Sequence, residues 1–546
     1  MIDFYVKNKK KLSLLAGLCI FALALCVVIF FIFKRCRAEY NGDYTDTLLW
    51  AYTAVKSGHF YDSGYWYAYF LPFSGIPLMM PVVSAFGLTY FSHQLGMTLF
   101  TLIFAASLVF FMRSAGHSYG ESFTLSGITM ILMCSSQITR MIFYGHIIHY
   151  SMAIVFMCIA MSLLKRSSVY DPDAKRGRVF TAMTCIWCML CCTNGIATIL
   201  LFFVPFAGSL VLERYLNKEP LSFSHDKVLI RNVFYIAAGG FCGFLIKSVF
   251  FKSRNYEASI TALLPSDGWV WKQSPFLLEW IKVLTDNSTS DVQMASFNGI
   301  RILCMYVLAL VILIVPVFAL LFFKKISNRM VRLLILFYWI MFATTMLTYS
   351  VSYALVSTWR LAGLVCAALI VTLVFSLYMI KEKLYMRWFV LVVPVIAVCM
   401  IIAGLTVKNI PSALNANRND KLIEIYKEHG LTRGYSSFWN SANAVTVLSG
   451  DTIHVSPILF WPDGRYGVRH YQSSPSDYTD VPGTDRYFVA VDAQEMEYTK
   501  DTLVANSIEQ IKYDDNLYIL VFDRNVFSDL EPVFSDPYPY DPGSDY

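Results

Sequence analysis

Long uncharged stretches of apolar residues fill most of the first 407 positions of the chain. A helix needs roughly 20 such residues to cross the hydrocarbon core of a bilayer. We therefore predict spanning helices at residues 12–33, 94–112, 122–139, 147–164, 302–323, 333–356, 361–380 and 388–407, and one more that ends near Lys247. The pattern indicates a polytopic α-helical membrane protein.

The uncharged run at residues 179–212 is too long for one span. As a single helix with a rise of 1.5 Å per residue it would measure about 51 Å, whereas the core of a bilayer is about 30 Å thick. A hairpin of two spans that turns at Thr193, Asn194 and Gly195 fits the available length better. With this hairpin the prediction is about eleven spans.

Four lysines precede the first span, at positions 7, 9, 10 and 11. Positive charge beside a span marks the cytoplasmic side of the membrane. We therefore expect a multi-pass protein of the cell (plasma) membrane with its N-terminus in the cytoplasm and its C-terminus outside. The long outer segments are then residues 34–92, residues 248–300 and everything after residue 407.

Composition supports this division of the chain. Hydrophobic residues make up 56% of the sequence and charged residues 15%, which excludes a water-soluble enzyme, a disulfide-rich secreted domain and a disordered chain. Residues 1–407 contain 33 Lys and Arg against 17 Asp and Glu, whereas residues 408–546 contain 11 against 21. We predict a basic membrane module at residues 1–407, an extracytoplasmic domain at residues 408–528 and an acidic, disordered tail at residues 529–546.

The segment after the last span has the pattern of a small α/β domain. Apolar positions at residues 420–429 have helical spacing, and residues 444–448, 452–455, 487–491 and 517–522 resemble short strands. Residues between these predicted strands that could contact a substrate are Arg465, Arg469, His470 and Tyr471.

The first outer segment contains a pair of carboxylates. Asp43 and Asp46 are three positions apart, so they share a face of a helical turn. A short helix is predicted to follow and to run to the pair Ser57-Gly58, and the dense aromatic residues after it are typical of the lipid headgroup level. A carboxylate at this position can act as a general base.

In Asp43, Ser57-Gly58, Phe60 and the prolines 72 and 77, the sequence resembles the C-type glycosyltransferase (GT-C) superfamily. The likeness is to the branch that holds protein O-mannosyltransferases and the lipid A aminoarabinose transferase. It implies a multispan catalytic module with an outer C-terminal domain. It also implies that a sugar leaves a polyprenyl or dolichyl phosphate and joins a hydroxyl of a glycan, lipid or protein acceptor, with inversion. Asp43 would be the general base, and Asp46 the alternative base or an orienting partner.

The chain departs from the usual pattern of this family at two places. Tyr44 stands where a second acidic residue normally follows the first, and the second outer loop carries Arg140, His146 and His149 instead of another acid. A metal site would need more oxygen ligands, so we predict no obligatory metal and leave a divalent metal ion open. Tyr44, His146 and His149, together with His59, are predicted to line the site.

The donor phosphate in such a reaction needs positive charge at the outer membrane boundary. Arg360, near the outer end of a late span, is the first candidate because a guanidinium can hold phosphate oxygens bidentately. Lys247 and Arg140 are the next candidates. Trp269 and Trp271 lie in the outer segment 248–300, where they could bind an acceptor or anchor the loop in the membrane surface.

The main alternative is a transporter or flippase of lipid-linked glycans. Sites of that class lie near the membrane midplane, on broken helices from repeated halves. The sequence has no visible internal repeat and few acidic residues within its spans, so a glycosyltransferase is favoured. An O-antigen-ligase-like enzyme would share the lipid-linked donor but would lack the acid in the first loop. No Gly-rich nucleotide-binding loop is visible, which disfavours a nucleotide-sugar donor, and we expect no nucleic-acid partner.

Overall fold

A computed structural model of the 546-residue chain describes residues 2–169, 175–217, 227–251, 263–266, 269, 275–286, 292–354, 356–411 and 417–528. Trp271 and the predicted tail at residues 529–546 lie outside the described residues. The structure consists of a bundle of membrane-type helices followed by a domain with a β-sheet.

Within the described part of the chain, nine helices are long and apolar enough to cross a membrane. Each coincides with a span predicted from the sequence, because uninterrupted apolar length is the property that both criteria measure. The nine helices are Lys10–Glu39, Tyr90–Ser114, His149–Ser167, Ile196–Leu216, Ile230–Phe250, Phe297–Leu321, Arg329–Val351, Thr358–Lys381 and Met386–Asn409.

The two other predicted spans are helical but different in shape. The run at residues 122–139 is divided into Tyr119–Leu132 and Gln137–Gly145, which meet at 119° because Ser136 caps a new helix by accepting from the Thr139 N–H. The helix Lys175–Cys192 has an apolar part of only 14 residues, or about 21 Å, which is shorter than a bilayer core. The described chain therefore has nine spans, or ten with the bent pair, against about eleven predicted.

The predicted turn between residues 179 and 212 is confirmed, but of the two helices that it joins only Ile196–Leu216 is long and apolar enough to be a span. One helix ends at Cys192, the next begins at Ile196, and Gly195 between them has a φ of +88°, a left-handed conformation that glycine adopts without strain. Asn194 fixes the turn to the first outer segment, because its Nδ2 donates to the Phe73 carbonyl at 2.9 Å and its Oδ1 accepts from the Phe73 N–H at 2.8 Å.

The C-terminal domain is built on one mixed sheet of six strands in the order β3-β2-β1-β4-β6-β5. β1 lies between β2 and β4 and pairs with both in parallel, whereas the outer pairings are antiparallel. The strands are β1 Arg433–Ser437, β2 His454–Phe460, β3 Tyr466–Val468, β4 Tyr487–Asp492, β5 Glu509–Lys512 and β6 Leu517–Phe522. The helices Arg418–Glu428 and Ala493–Tyr498 belong to this domain.

Most of the elements predicted for this domain are confirmed, including the first helix and strands β4 and β6. The predicted strand at residues 452–455 is the start of β2, which runs on to Phe460. The predicted strand at residues 444–448 is wrong, because Ala444–Leu448 is a helix. All five of its side chains are buried, so its sequence lacks the alternation of apolar and polar residues that would distinguish a helix from a strand. Packing against β2 overrides the strand propensity of its two valines and its threonine.

The C-terminal domain rests on the end of the bundle formed by the first outer segment. Arg37 and Asp420 form an ion pair at 2.5 Å, and Asn417 donates to the Tyr40 carbonyl at 2.9 Å. Trp66 and Ser473 form an isolated antiparallel bridge, in which the Trp66 N–H donates to the Ser473 carbonyl at 2.8 Å. We call this end of the bundle the domain end, and the other the distal end.

Candidate functional site

Asp43 and Asp46, which we call the acid pair, lie at the start of the first outer segment. The short 3-10 helix Gly42–Thr45 holds Asp43, and its first turn is capped by Asn41, whose side chain accepts from the Asp43 N–H at 3.0 Å. Asp46 begins the α-helix Asp46–Ser57, which ends at Gly58 with a φ of +71°. The helix predicted to run to Ser57-Gly58 is therefore confirmed.

Burial dominates the electrostatics of the acid pair. It raises the pKa of Asp43 to about 7, against the opposing effect of the Arg469 guanidinium. Burial also raises the pKa of Asp46 well above its usual range, and the nearby charge of Asp43 adds to this shift. Desolvation and like charge both favour the protonated form of these carboxyls.

Two polar side chains, Tyr69 and Gln472, face the carboxyl of Asp46 and oppose the rise of its pKa. The indole Nε1 of Trp50 donates to Gln472 Oε1 at 2.6 Å. Because an indole N–H can only donate, this bond assigns the Gln472 oxygen to Trp50 and leaves its NH₂ group for the acid pair. Within the described residues this buried NH₂ group makes no other hydrogen bond, and it lies close enough to Asp46 to oppose the rise of that carboxyl's pKa.

Gln472 belongs to residues 469–473 of the C-terminal domain, which we call the docking segment. Gln472 has a φ of +54°, a left-handed conformation that is uncommon in residues other than glycine. Two hydrogen bonds hold this conformation: the Gln472 N–H donates to the Trp66 carbonyl at 2.7 Å, and the Asn443 side chain donates to the Gln472 carbonyl at 3.1 Å. The His470 ring stacks on Trp66 at 3.8 Å. The C-terminal domain thus supplies one wall of the site.

A cavity of about 100 Å³ has Tyr69 in its wall. Tyr69, His149, Tyr349 and Arg360 are among its lining residues, and the rest of its wall is mostly apolar. The Arg360 guanidinium lies 4.6 Å from the centre of the Trp359 ring and 5.6 Å from that of Tyr349. Tyr69 therefore lines the Arg360 cavity and also faces Asp46.

Comparison with solved structures identifies the arrangement of the whole chain. ArnT from Cupriavidus metallidurans, solved bound to undecaprenyl phosphate, superposes with a TM-score of 0.52 at 12% sequence identity, over 95% of this chain and 99% of that one. The same protein in the apo state gives a TM-score of 0.50 over the same shares. The chain has the fold of ArnT. Neither a protein-family model nor a curated protein sequence matches it.

The ArnT fold confirms the GT-C-like architecture expected from the first-loop residues: a polytopic helical module followed by a C-terminal α/β domain. At 12% identity this comparison establishes only the fold, so the chemistry has to be inferred from the residues of the site.

Three other predicted site residues also lie around the acid pair or the cavity. His146 is buried, and its Nδ1 lies 3.1 Å from the Asp43 carbonyl oxygen. Burial lowers the pKa of His146 to about 4, so it is neutral at pH 7. His149 lines the Arg360 cavity. Tyr44 is 1% exposed and packs on Gly145, where a Cβ would come within 2.2 Å of its ring.

The remaining predicted residues lie elsewhere or are engaged in other contacts. Arg140 is buried, with its Nε 3.0 Å from Glu39 Oε2 and its Nη1 donating to the Cys134 carbonyl at 2.8 Å. Lys247 donates to the Phe70 carbonyl at 2.8 Å. His59 is exposed and bonds within its own turn, and Trp269 is 39% exposed and donates to the Leu264 carbonyl at 2.9 Å.

Among the described residues, no group of three or more His, Cys, Asp or Glu side chains is arranged to hold a metal ion. The acid pair supplies two carboxylates, and the imidazole of His146 turns its Nδ1 to the Asp43 backbone carbonyl. The site as described has fewer oxygen ligands than a hard divalent cation usually takes.

The raised pKa of Asp46 predicts how its replacement changes stability. Below about pH 3.9, the pKa of Asp46 in the unfolded chain, this carboxyl is protonated in both states and burying it does not reduce stability through its charge. As pH rises toward the higher pKa of the folded state, the unfolded chain releases the proton first, so the folded protein loses stability. Asp46→Asn cannot ionise. We expect the thermal unfolding midpoint of Asp46→Asn in detergent, minus that of the wild type, to increase as pH is raised from 5 to 8. The same difference for Asp62→Asn, in the same loop, should not increase. A difference that is constant with pH would contradict the assignment.

Proposed function

We propose that the protein is an integral membrane glycosyltransferase that moves a sugar from a polyprenyl-phosphate donor to an acceptor hydroxyl. The observation that carries the proposal is that Tyr69 connects the buried acid pair to the Arg360 cavity. One side chain thereby borders both the acid pair and the cavity of the proposed phosphate-binding cation. The structure with the same fold that contains undecaprenyl phosphate supports this class of donor.

In the proposed reaction Asp43 takes the proton of the acceptor hydroxyl as its oxygen bonds to the anomeric carbon of the sugar. The bond from that carbon to the phosphate oxygen breaks, and the polyprenyl phosphate leaves with the electron pair. A base with a pKa of about 7 is well matched to such a step, since it is partly deprotonated and still basic at neutral pH. Attack from the face opposite the phosphate inverts the anomeric centre.

Asp46 and Arg360 have supporting roles in this proposal. The raised pKa of Asp46 favours its protonated form, which can donate a hydrogen bond that orients Asp43 or the sugar. Arg360 offers a planar guanidinium to the phosphate, whose negative charge grows as the sugar departs. The cavity of about 100 Å³ is smaller than typical ligand pockets of about 300 Å³ or more, so its walls must separate when the lipid enters.

The sugar and the acceptor can be identified by deleting the gene and comparing cell-envelope glycans, lipids and glycoproteins by mass spectrometry. We expect one modification to disappear on deletion and to return when the wild-type gene is restored. Accumulation of an unflipped lipid-linked glycan, with all modifications otherwise present, would instead support the transporter alternative.

The proposal requires the domain end to lie outside the cytoplasm, where we place residues 34–92 and 408–528. Single cysteines at two exposed positions test this orientation. We expect Ser63→Cys, in the first outer segment, to react with a membrane-impermeant maleimide on intact cells. Lys324→Cys, at the distal end, should react only after lysis. The reverse pattern would place the acid pair in the cytoplasm and exclude the proposed topology.

Gln472 is predicted to be a positioning residue for the acid pair. Gln472→Met retains most of the side-chain volume but removes the donor that lowers the pKa of Asp46. We expect transfer by isolated membranes to fall about 10-fold at pH 7, and the alkaline limb of the pH profile, where Asp46 loses its proton, to move about one unit higher. Gln510→Met, exposed in the same domain, is the matched control. An equal loss at every pH would indicate a purely structural role.

A further inference from the structure

The C-terminal domain brings a cation, Arg469, to the side of the acid pair. Arg469 is the first residue after β3 and the first of the docking segment. Its N–H donates to the Pro457 carbonyl at 3.3 Å, and its own carbonyl accepts from the Tyr471 N–H at 2.8 Å and from the Ser473 hydroxyl at 3.0 Å. These hydrogen bonds fix the backbone from which the Arg469 side chain extends.

The contacts of the Arg469 side chain lead to the turn that holds Asp43. Its guanidinium lies 4.6 Å from the centre of the Tyr471 ring and 5.6 Å from that of Phe438. The two rings meet edge to face with their centres 4.7 Å apart. Phe438 also packs on Gly42, the residue before Asp43, where a Cβ would come within 3.0 Å of its ring. Phe438 therefore lies between the cation and the 3-10 helix of the base.

The charge of Arg469 acts on the carboxyl of Asp43 and opposes the effect of burial on its pKa. The other titratable groups beside this residue are Asp46, Tyr44, Tyr69 and His146. None of these four is positive at neutral pH, because burial raises the pKa of the two tyrosines and lowers that of His146 to about 4. Of the groups that the described residues bring to Asp43, Arg469 is the one that favours its ionised form.

We propose that Arg469 is a positioning residue through which the docked C-terminal domain keeps Asp43 ionised and able to act as a base. The inference rests on the proposed function, because the base is that of the transferase reaction. The docking segment then serves both members of the acid pair, since Gln472 faces Asp46 and Arg469 acts on Asp43. The C-terminal domain is in this way part of the catalytic machinery.

The pH dependence of sugar transfer tests this role. Arg469→Gln removes the charge, which should raise the pKa of Asp43 and move the acidic limb of the profile about one unit higher. Transfer at pH 7 should fall about 5-fold, and the loss should shrink as the pH is raised to 8.5. Arg469→Lys retains the charge and should keep the limb near its wild-type position. Arg524→Gln, exposed in the same domain, is the matched control and should leave the profile unchanged.

A second measurement does not depend on transfer. Arg469 stabilises an ionised Asp43 but not a neutral one, so Arg469→Gln should lower the thermal unfolding midpoint more at pH 8 than at pH 5. In the Asp43→Asn background this trend with pH should vanish, because residue 43 can no longer ionise.

The two measurements separate this proposal from the proposed function. Loss of transfer that is equal at every pH would show that Arg469 contacts the acceptor or only holds the domain, and would overturn the proposal. The same trend in unfolding midpoint with and without Asp43 would also overturn it. A trend that requires Asp43, in a protein on which no sugar transfer depends, would support the charge coupling and contradict the transferase.

Discussion

Asp43→Asn is expected to lower sugar transfer by at least about 100-fold, which is the lower end of the effect of losing a general base. The amide has nearly the shape of the carboxyl but cannot take the acceptor proton. The Asn41 cap bonds the backbone N–H of residue 43, so the turn that positions the side chain should remain. Because burial raises the pKa of Asp43 to about 7, removal of this acid should also raise the thermal unfolding midpoint at pH 8.

Cells that lack the gene and carry each variant provide the measurement. The glycan modification that depends on the gene is quantified by mass spectrometry and divided by the amount of protein in the membrane. Asp62→Asn, in the same loop, is the matched control and should transfer normally. Normal transfer by Asp43→Asn together with loss in Asp46→Asn would move the base to Asp46. If both variants remained active, the proposed mechanism would be wrong.

The opposite signs expected for activity and stability distinguish a catalytic acid from a structural one. A carboxyl that held the loop in place would lower both when it was removed. Burial of the acid pair disfavours the ionised carboxylates and therefore reduces stability at neutral pH. Buried acids with such raised pKa values are concentrated at functional sites. Gain of stability with loss of transfer is therefore the informative combination.

The spans and the acid pair could be predicted from the sequence because they depend on local features. Apolar length identifies a spanning helix, and spacing of three places Asp43 and Asp46 on adjacent turns. The bend after Leu132 was missed because Ser136 is uncharged, so the run of apolar residues continues through a helix start that a capping serine creates.

Gln472 could not be found in this way, since its role depends on contacts over a long separation in sequence. The residue to which it is bonded, Trp50, is 422 positions away. A single buried glutamine in a loop produces no recognisable sequence pattern. Its left-handed backbone conformation could not be predicted either, because a sequence suggests a positive φ mainly where it has glycine. The nearby Arg469, His470 and Tyr471 were recognisable as polar and aromatic residues, but their position beside the first loop depends on the fold.

The same limitation applies to the choice between arginines. From the sequence, Arg360 is preferred to Arg140 because of its place near the outer end of a late span, and no contact of either arginine is visible there. In the structure Arg140 is paired with Glu39, which is 101 positions away, whereas Arg360 lines a cavity. A guanidinium already bonded to a buried carboxylate has little attraction left for a phosphate, so our proposal assigns the donor to Arg360.

Arg360→Ala is therefore expected to weaken the binding of undecaprenyl phosphate and to slow transfer together. A hydrogen bond to a charged group contributes about 1.5–3 kcal/mol, which corresponds to roughly 10- to 150-fold in affinity. Arg360→Lys should recover only part of this loss, because an ammonium retains the charge but not the planar fork. Arg387→Ala, an exposed arginine at the distal end, is the control and should bind normally.

Binding can be followed through the fluorescence of Trp359, whose ring lies 4.6 Å from the Arg360 guanidinium, with transfer measured in the complemented cells. Loss of both properties with an unchanged unfolding midpoint supports contact with the phosphate. A lower unfolding midpoint with normal binding and transfer would show that Arg360 only anchors the helix through Trp359 and Tyr349. In that case Lys247, the next predicted phosphate-binding cation, which donates to the Phe70 carbonyl of the first loop, becomes the next residue to replace.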